Sequence, residues 1–144
     1  MNEARPQPGP KSNDDRAVIA RLVNAKRIAI VGLSDDHSRT SYAIAAYLVS
    51  VGKEIIPVNP NVDRVLGVKA VGSLAEIDGP VDLVDVFRRP EFCGEIARQA
   101  AAIGAKGLWL QLGIASAEAR DVAAKAGIDY VENRCLMVEH RLRS

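Results

Sequence analysis

The sequence predicts an α/β protein: a mostly parallel sheet of five to six strands with helices on both faces. Three observations carry this. Short aliphatic runs and helix-period stretches alternate five times along the chain, the pattern of strand–helix units. Hydrophobic residues make up 48% of the chain and aromatic ones only 4%, the aliphatic richness of strands buried on both faces. The length of 144 residues suits one domain able to bury roughly two-thirds of its unfolded surface.

The elements follow in order. Residues 1–13 hold Pro6, Pro8, Gly9 and Pro10 among polar neighbours and read as a flexible tail ahead of a single domain over 14–144. Asn13 or Asp14 caps a short helix, because Val18, Ile19, Leu22 and Val23 fall at helical spacing. Arg27 to Val31 is a buried strand stopped by Gly32. Ser41 to Val51 is a helix almost without charge, closed by Gly52; a helix apolar all round should be covered on most sides. Glu54 to Val58 is the second strand, and Pro57, lacking an N–H, puts it near an edge. Val68 to Val71 adds a short strand and Ser73 to Ile77 a helical turn. Val81 to Phe87 is the third firm strand. Pro90 opens a helix that Gly104 stops, with proline at a first position where its missing N–H is harmless. Gly107 to Gln111 is the fourth strand. Ser116 caps a helix ended by Gly127, Ile128 to Val131 is the last strand, and Arg134 to Arg143 reads as helical. Right-handed crossovers make such a chain doubly wound and Rossmann-like, with its ligand beyond the carboxyl ends of the strands.

Charge and cysteine usage exclude several classes. With 19 Lys and Arg against 18 Asp and Glu, the net charge of +1 gives no bulk attraction to nucleic acid or to an anionic membrane. No apolar run approaches the ~20 residues of a membrane span, and Met1 to Asn13 lacks the apolar core of a signal peptide. Cys93 and Cys135 form no C-x-x-C pair, which argues against a disulfide framework or zinc site and for a reducing cytoplasm. Neither His37 nor His140 has metal-ligand spacing, and no G-x-S-x-G elbow marks a hydrolase. A receiver domain would need an aspartate where the third strand ends in Phe87 and Arg88.

Four strand ends assemble the candidate site. After the first strand, Gly32 lets a ligand approach the backbone, and the next helix offers free N–H groups and a partial positive charge. Arg39 adds a full charge; Ser38, Thr40 and Ser41 add hydroxyls. This is chemistry for an anion. The second strand ends in Val58-Asn59-Pro60, without the carboxylate that holds a ribose in dinucleotide sites, and Ser34 replaces the second glycine of their fingerprint. NAD is therefore disfavoured, although Asn59 can hydrogen-bond a ribose or base. At the third strand end, Arg88 and Arg89 leave opposite faces, so one of them looks into the crevice. Phe87 and Pro90 supply flat apolar surface beside it. Gln111 is an amide in an apolar strand end and needs a partner, either ligand or neighbouring backbone. Asp85, inside an apolar strand, is expected to take hydrogen bonds or to pair with an arginine. Trp109 reads as core.

These segments together resemble a known family. Ile30-Val31-Gly32-Leu33-Ser34, Pro57-Val58-Asn59-Pro60, Ser73-Leu74, Val81 to Pro90, Lys106 to Gly113 and Asn133-Arg134-Cys135 look like the small bacterial CoA-binding domain proteins. Those are stand-alone relatives of the nucleotide-binding domain of the succinyl-CoA synthetase alpha subunit. The resemblance runs from Lys26 to His140; the family's usual Asp before the Arg-Cys pair is Asn133 here. It implies a fold that holds coenzyme A or an acyl-CoA, with the Gly32–Ser41 loop near the phosphates and the 59–60 and 87–90 segments flanking the nucleotide. The pyrophosphate and 3′-phosphate would use Arg39 and Arg88 as charge-assisted donors. The synthetases carry their phosphohistidine in a second domain, so the implied function is binding without chemistry.

The residues expected at the ligand are Gly32, Leu33, Ser34, Arg39, Ser41, Tyr42, Asn59, Pro60, Phe87, Arg88, Arg89, Pro90 and Gln111. No catalytic or metal-binding residue is expected, and the partner is a CoA-type small molecule. The alternatives are an NAD(P)-dependent oxidoreductase and an interaction module with a vestigial nucleotide pocket.

Overall fold

The computed structural model describes residues 14–144; the expected tail at 1–13 lies outside them. Helix α1 (Asp15–Leu22) starts at Asp14, whose side chain accepts the Arg16 N–H. Strand β1 (Arg27–Val31) leads to α2 (Thr40–Ser50) and β2 (Glu54–Val58). A small antiparallel pair follows, β3 (Arg64–Val65) and β4 (Val68–Lys69), and then a single 3-10 turn, Leu74–Glu76. Next come β5 (Leu83–Val86), α3 (Pro90–Ala102), β6 (Gly107–Leu110), α4 (Ala117–Ala126), β7 (Asp129–Val131) and α5 (Leu136–Arg141). Ser116 caps α4 by accepting the Ala119 N–H, and Gly127 closes it in the left-handed conformation.

The main sheet has five strands in the order β2-β1-β5-β6-β7, and every neighbouring pair is parallel. The winding reverses between β1 and β5, which sets the crevice above those two strands. Strand β2 is an outer strand, in keeping with Pro57, whose carbonyl instead accepts the Val71 N–H. The expected strand at 68–71 divides. Val68 and Lys69 pair with Arg64 and Val65 through a turn in which Leu66 and Gly67 both have positive φ, while Val71 bridges Val58 in parallel. The strand at 64–65 is too short to leave a periodic signal.

Alternation along each strand sorts the core into two layers. Ile28, Ile30, Ile55, Leu83 and Trp109 face α1, α2 and α5; Ala29, Val31, Val84, Val86 and Leu108 face α3 and α4. Helix α2 is less covered than its composition predicts. It packs on β2 and α5, but Val49 stays 43% exposed. None of the helices is long and apolar enough to span a membrane among the described residues.

Asp85 departs from expectation. It is completely buried and stands in register between Ile30 and Trp109. Neither carboxylate oxygen has a hydrogen-bond partner among the described residues. The expected hydrogen bonds or arginine do not materialise, because its flanking strands present only apolar side chains on that face. Burial pushes its carboxyl well above the ordinary range, and the Val86 N–H beside it offsets little of this.

Candidate functional site

The strand ends of β1, β2 and β5 converge on one cleft of about 660 Å³, floored by Val31, Val58, Leu74 and Ile96. Gly32 makes the convergence possible. Its φ is +85°, and a β-carbon there would lie 2.5 Å from the Phe87 carbonyl oxygen. Only glycine fits that approach. Gly32 N–H donates to the Val58 carbonyl and Phe87 N–H to the Val31 carbonyl, so all three strand ends are stitched together.

The loop from Gly32 into α2 is ordered by its own polar groups. Ser34 N–H donates to Ser41 Oγ at 3.1 Å, and Ser34 Oγ accepts the Asp36 N–H. Asp36 accepts from the Ser38 N–H and hydroxyl, and the Ser38 backbone bond holds its carboxyl below the ordinary range. His37 stacks on Tyr42 with centroids 4.2 Å apart. Leu33 is buried under the loop, whereas Arg39 is exposed, 3.9 Å from Asp36. Helix α2 begins at Arg39 without a side-chain cap; the Tyr42 and Ala43 N–H groups bond to the Arg39 carbonyl, and the start of the helix lies outside the lining of the cleft.

The arginine pair separates as alternation requires. Arg88 lines the cleft with its guanidinium 4.3 Å above the Phe92 ring, and its Cδ lies 3.1 Å from where a Gly32 β-carbon would stand. Arg89 is turned to solvent beside Glu91. Pro90 starts α3. Pro60 lines the cleft, but Asn59 is occupied by the protein: its Nδ2 donates to the Leu33 carbonyl and its Oδ1 accepts the Asn61 N–H. Its amide ties the β1 and β2 loops together. Gln111 Oε1 likewise accepts the Leu136 N–H at 3.2 Å, the backbone alternative of the sequence reading. Phe87 and Gln111 sit toward the α2–α5 side of the sheet, so the expected residues straddle both faces.

Sequence reasoning missed one wall of the cleft. Phe92, Glu95, Ile96 and Gln99 line it from α3. Their spacing of three, four and seven residues marks one helix face, a signal available once α3 was known to follow the Arg88 strand end. Other reactive residues are engaged elsewhere. Cys93 is buried, its thiol pushed up by burial, with Sγ 3.5 Å from the Arg89 carbonyl. His140 Nδ1 meets the Tyr47 hydroxyl at 2.6 Å.

The result is a glycine-bounded crevice at the reversal of a parallel sheet, with the Arg88 guanidinium in its lining, a setting that can take an anion. Comparison with known proteins carries that further. The model of the CoA binding domain family matches residues 26–141. The chain belongs to that family. The chain is 43% identical to YneT of Bacillus subtilis over 129 residues, 89% of the chain and 96% of that protein. A structure described as a hypothetical protein from Pyrococcus horikoshii superposes with a TM-score of 0.85 at 35% identity, covering 99% of this chain and 98% of that one. The chain also matches the alpha subunit of an ADP-forming acetate–CoA ligase of Pyrococcus furiosus, 33% identical over 86 residues. That match spans 59% of this chain but only 19% of the ligase subunit.

Proposed function

We propose that the protein binds coenzyme A or an acyl-CoA across the carboxyl ends of β1, β2 and β5 without transforming it. The observation that carries this is the approach of Gly32 to Phe87, beside a cleft containing Arg88. It leaves room for a diphosphate to cross the strand ends against backbone and cation together. The family supplies the ligand class. NAD suits the site less well, because the second strand ends without a carboxylate and Asn59 is already bonded at both ends of its amide.

Thermal melting with CoA, NAD and NADP tests the reading. Ligand at ~100 times its dissociation constant adds ~2.7 kcal/mol, a rise of roughly 5–10 °C for a domain of this size. CoA should give that rise; no shift with millimolar CoA, or a larger one with NAD, overturns it. Catalysis needs a positioned nucleophile or base with a supporting partner; in the cleft, Ser73 only donates a long 3.3 Å bond to the exposed Glu76, and Glu95 is tied up by Arg98 and Gln99. Acetyl-CoA should therefore survive incubation; steady thiol release abolished by a cleft substitution would disprove the non-catalytic role.

A further inference from the structure

The two outer edges of the sheet are finished differently. On the β2 edge, Val71 bridges Val58; its N–H donates to the Pro57 carbonyl and its carbonyl accepts the Asn59 N–H. Pro57 itself has no donor, so that edge is closed to further pairing. The β7 edge has no such cover among the described residues. A groove of about 700 Å³ follows it, lined by every residue from 128 to 132, so it tracks the backbone edge rather than one face of the strand. Val18 of α1 stands on one side, and Ala124 and Gly127 at the end of α4 on the other. These small residues leave the edge open to another strand.

The backbone of that edge has a definite order. Asp129 N–H donates to the Lys106 carbonyl, and the parallel register sets Val131 beside Trp109. Residues 129 and 131 therefore turn their backbone groups toward β6. Tyr130 turns its N–H and carbonyl outward, with the Ile128 carbonyl and the Glu132 N–H on either side. Ile128 N–H already donates to the Ala123 carbonyl, so residue 128 offers only an acceptor. An antiparallel copy of the same edge, related by a two-fold axis at Tyr130, matches this order. The two Tyr130 residues exchange N–H and carbonyl, and each Glu132 N–H meets the Ile128 carbonyl of the other copy. Charge does not oppose the approach. Glu132 pairs with Arg120, Asp129 with Arg21 and Arg134 with Glu139, while the Asp15 carboxylate shares the field of Arg120. The two walls can thus meet without burying an unmatched ion. We propose that the β7 edge is a self-association surface that takes a second copy of this chain, joining two sheets into one.

Sedimentation velocity of the whole protein, run from low micromolar to near-millimolar chain beside amide hydrogen exchange, tests this without any ligand. The mass should pass from one chain to two as concentration rises. The Tyr130 and Glu132 amides should exchange freely in the dilute sample and become protected in step with the dimer. Ala124 is exposed on α4 in the groove wall, so Ala124→Glu should melt close to the parent when both are dilute. Its carboxylate would be buried in the joint, and association should weaken at least about tenfold. If that variant misfolds, the exchange of the two parent amides decides alone. A chain that stays monomeric throughout overturns the proposal, as does a dimer whose Tyr130 and Glu132 amides still exchange freely. Protection of both amides in the monomer overturns it too, since an extended segment of the same chain would then fill the edge.

Discussion

Gly32 and Phe87 meet at the point where the sheet reverses its winding, and a β-carbon on Gly32 would lie 2.5 Å from the Phe87 carbonyl oxygen. No real β-carbon tolerates that distance, and the obstacle is backbone. The φ of +85° adds a conformational penalty for any other residue. Gly32→Ala should therefore part the β1 and β5 ends. We expect a loss of about 1–3 kcal/mol in stability and at least a tenfold loss in CoA affinity, read by urea unfolding and by titration. A variant that binds CoA as well as the parent would show that the ligand does not cross at this glycine.

The two adjacent arginines should behave differently. Arg88 lies in the cleft on the Phe92 ring, whereas Arg89 is 75% exposed beside Glu91. A charge-assisted bond to phosphate contributes about 1.5–3 kcal/mol, so Arg88→Ala should weaken CoA roughly tenfold to a hundredfold. Arg89→Ala should change it less than threefold. Arg39→Ala should fall between them and lose its effect as salt is raised, because an exposed charge is screened. Equal effects at 88 and 89 would mean that both act through general field rather than contact.

Much of the fold was legible because its signals are local. Glycine or proline punctuates nearly every element, and each strand carries its own aliphatic run. The strand at 64–65 left no such run, and the exposure of Val49 depends on how much of α2 the sheet and α5 can reach. The site was legible only in part. Strand ends name Gly32 and Arg88 directly, since topology alone brings them together. The occupancy of the Asn59 and Gln111 amides was not legible: their partners, the Leu33 carbonyl and the Leu136 N–H, lie 26 and 25 residues away along the chain. The α3 wall of Phe92, Glu95 and Gln99 was missed because it projects from a helix face rather than a strand end.

Asn59 should prove a positioning residue. Its side chain satisfies the Leu33 carbonyl and the Asn61 N–H, joining the loops on either side of the cleft. Asn59→Ala strands two backbone groups and should destabilise the protein by about 1–3 kcal/mol. Asn59→Asp keeps the acceptor for Asn61 but loses the donor to Leu33, so it should recover part of that loss. A mainly structural role predicts that CoA affinity falls in parallel with melting temperature across the two variants. A full loss of binding without destabilisation would instead put Asn59 in direct contact with the ligand.

Asp85 makes the stability of the protein depend on pH in an unusual direction. Its carboxyl, completely buried and without a hydrogen-bond partner among the described residues, titrates well above the ordinary range in the folded state, and burial is the cause. In the unfolded chain it titrates near ~3.9. Between those two values the native state holds one more proton than the unfolded state, so stability falls as pH rises, by up to about 1.4 kcal/mol per unit. Below the unfolded value the penalty vanishes. Asp36 and Glu95 act oppositely, since hydrogen bonds from Ser38 and Arg98 hold them low and their contribution is lost on acidification. The comparison must therefore be made against Asp85→Asn, which removes this titration and no other. Subtracting the two stability profiles between pH 4 and 7 should leave a slope of that sign, with the asparagine variant gaining on the parent as pH rises. Asp85→Val, which also removes the unsatisfied polar atoms, should gain about 1–3 kcal/mol at neutral pH. Parallel profiles for parent and asparagine variant would mean that Asp85 finds a hydrogen-bonded partner, such as an internal water, that keeps it in the ordinary range.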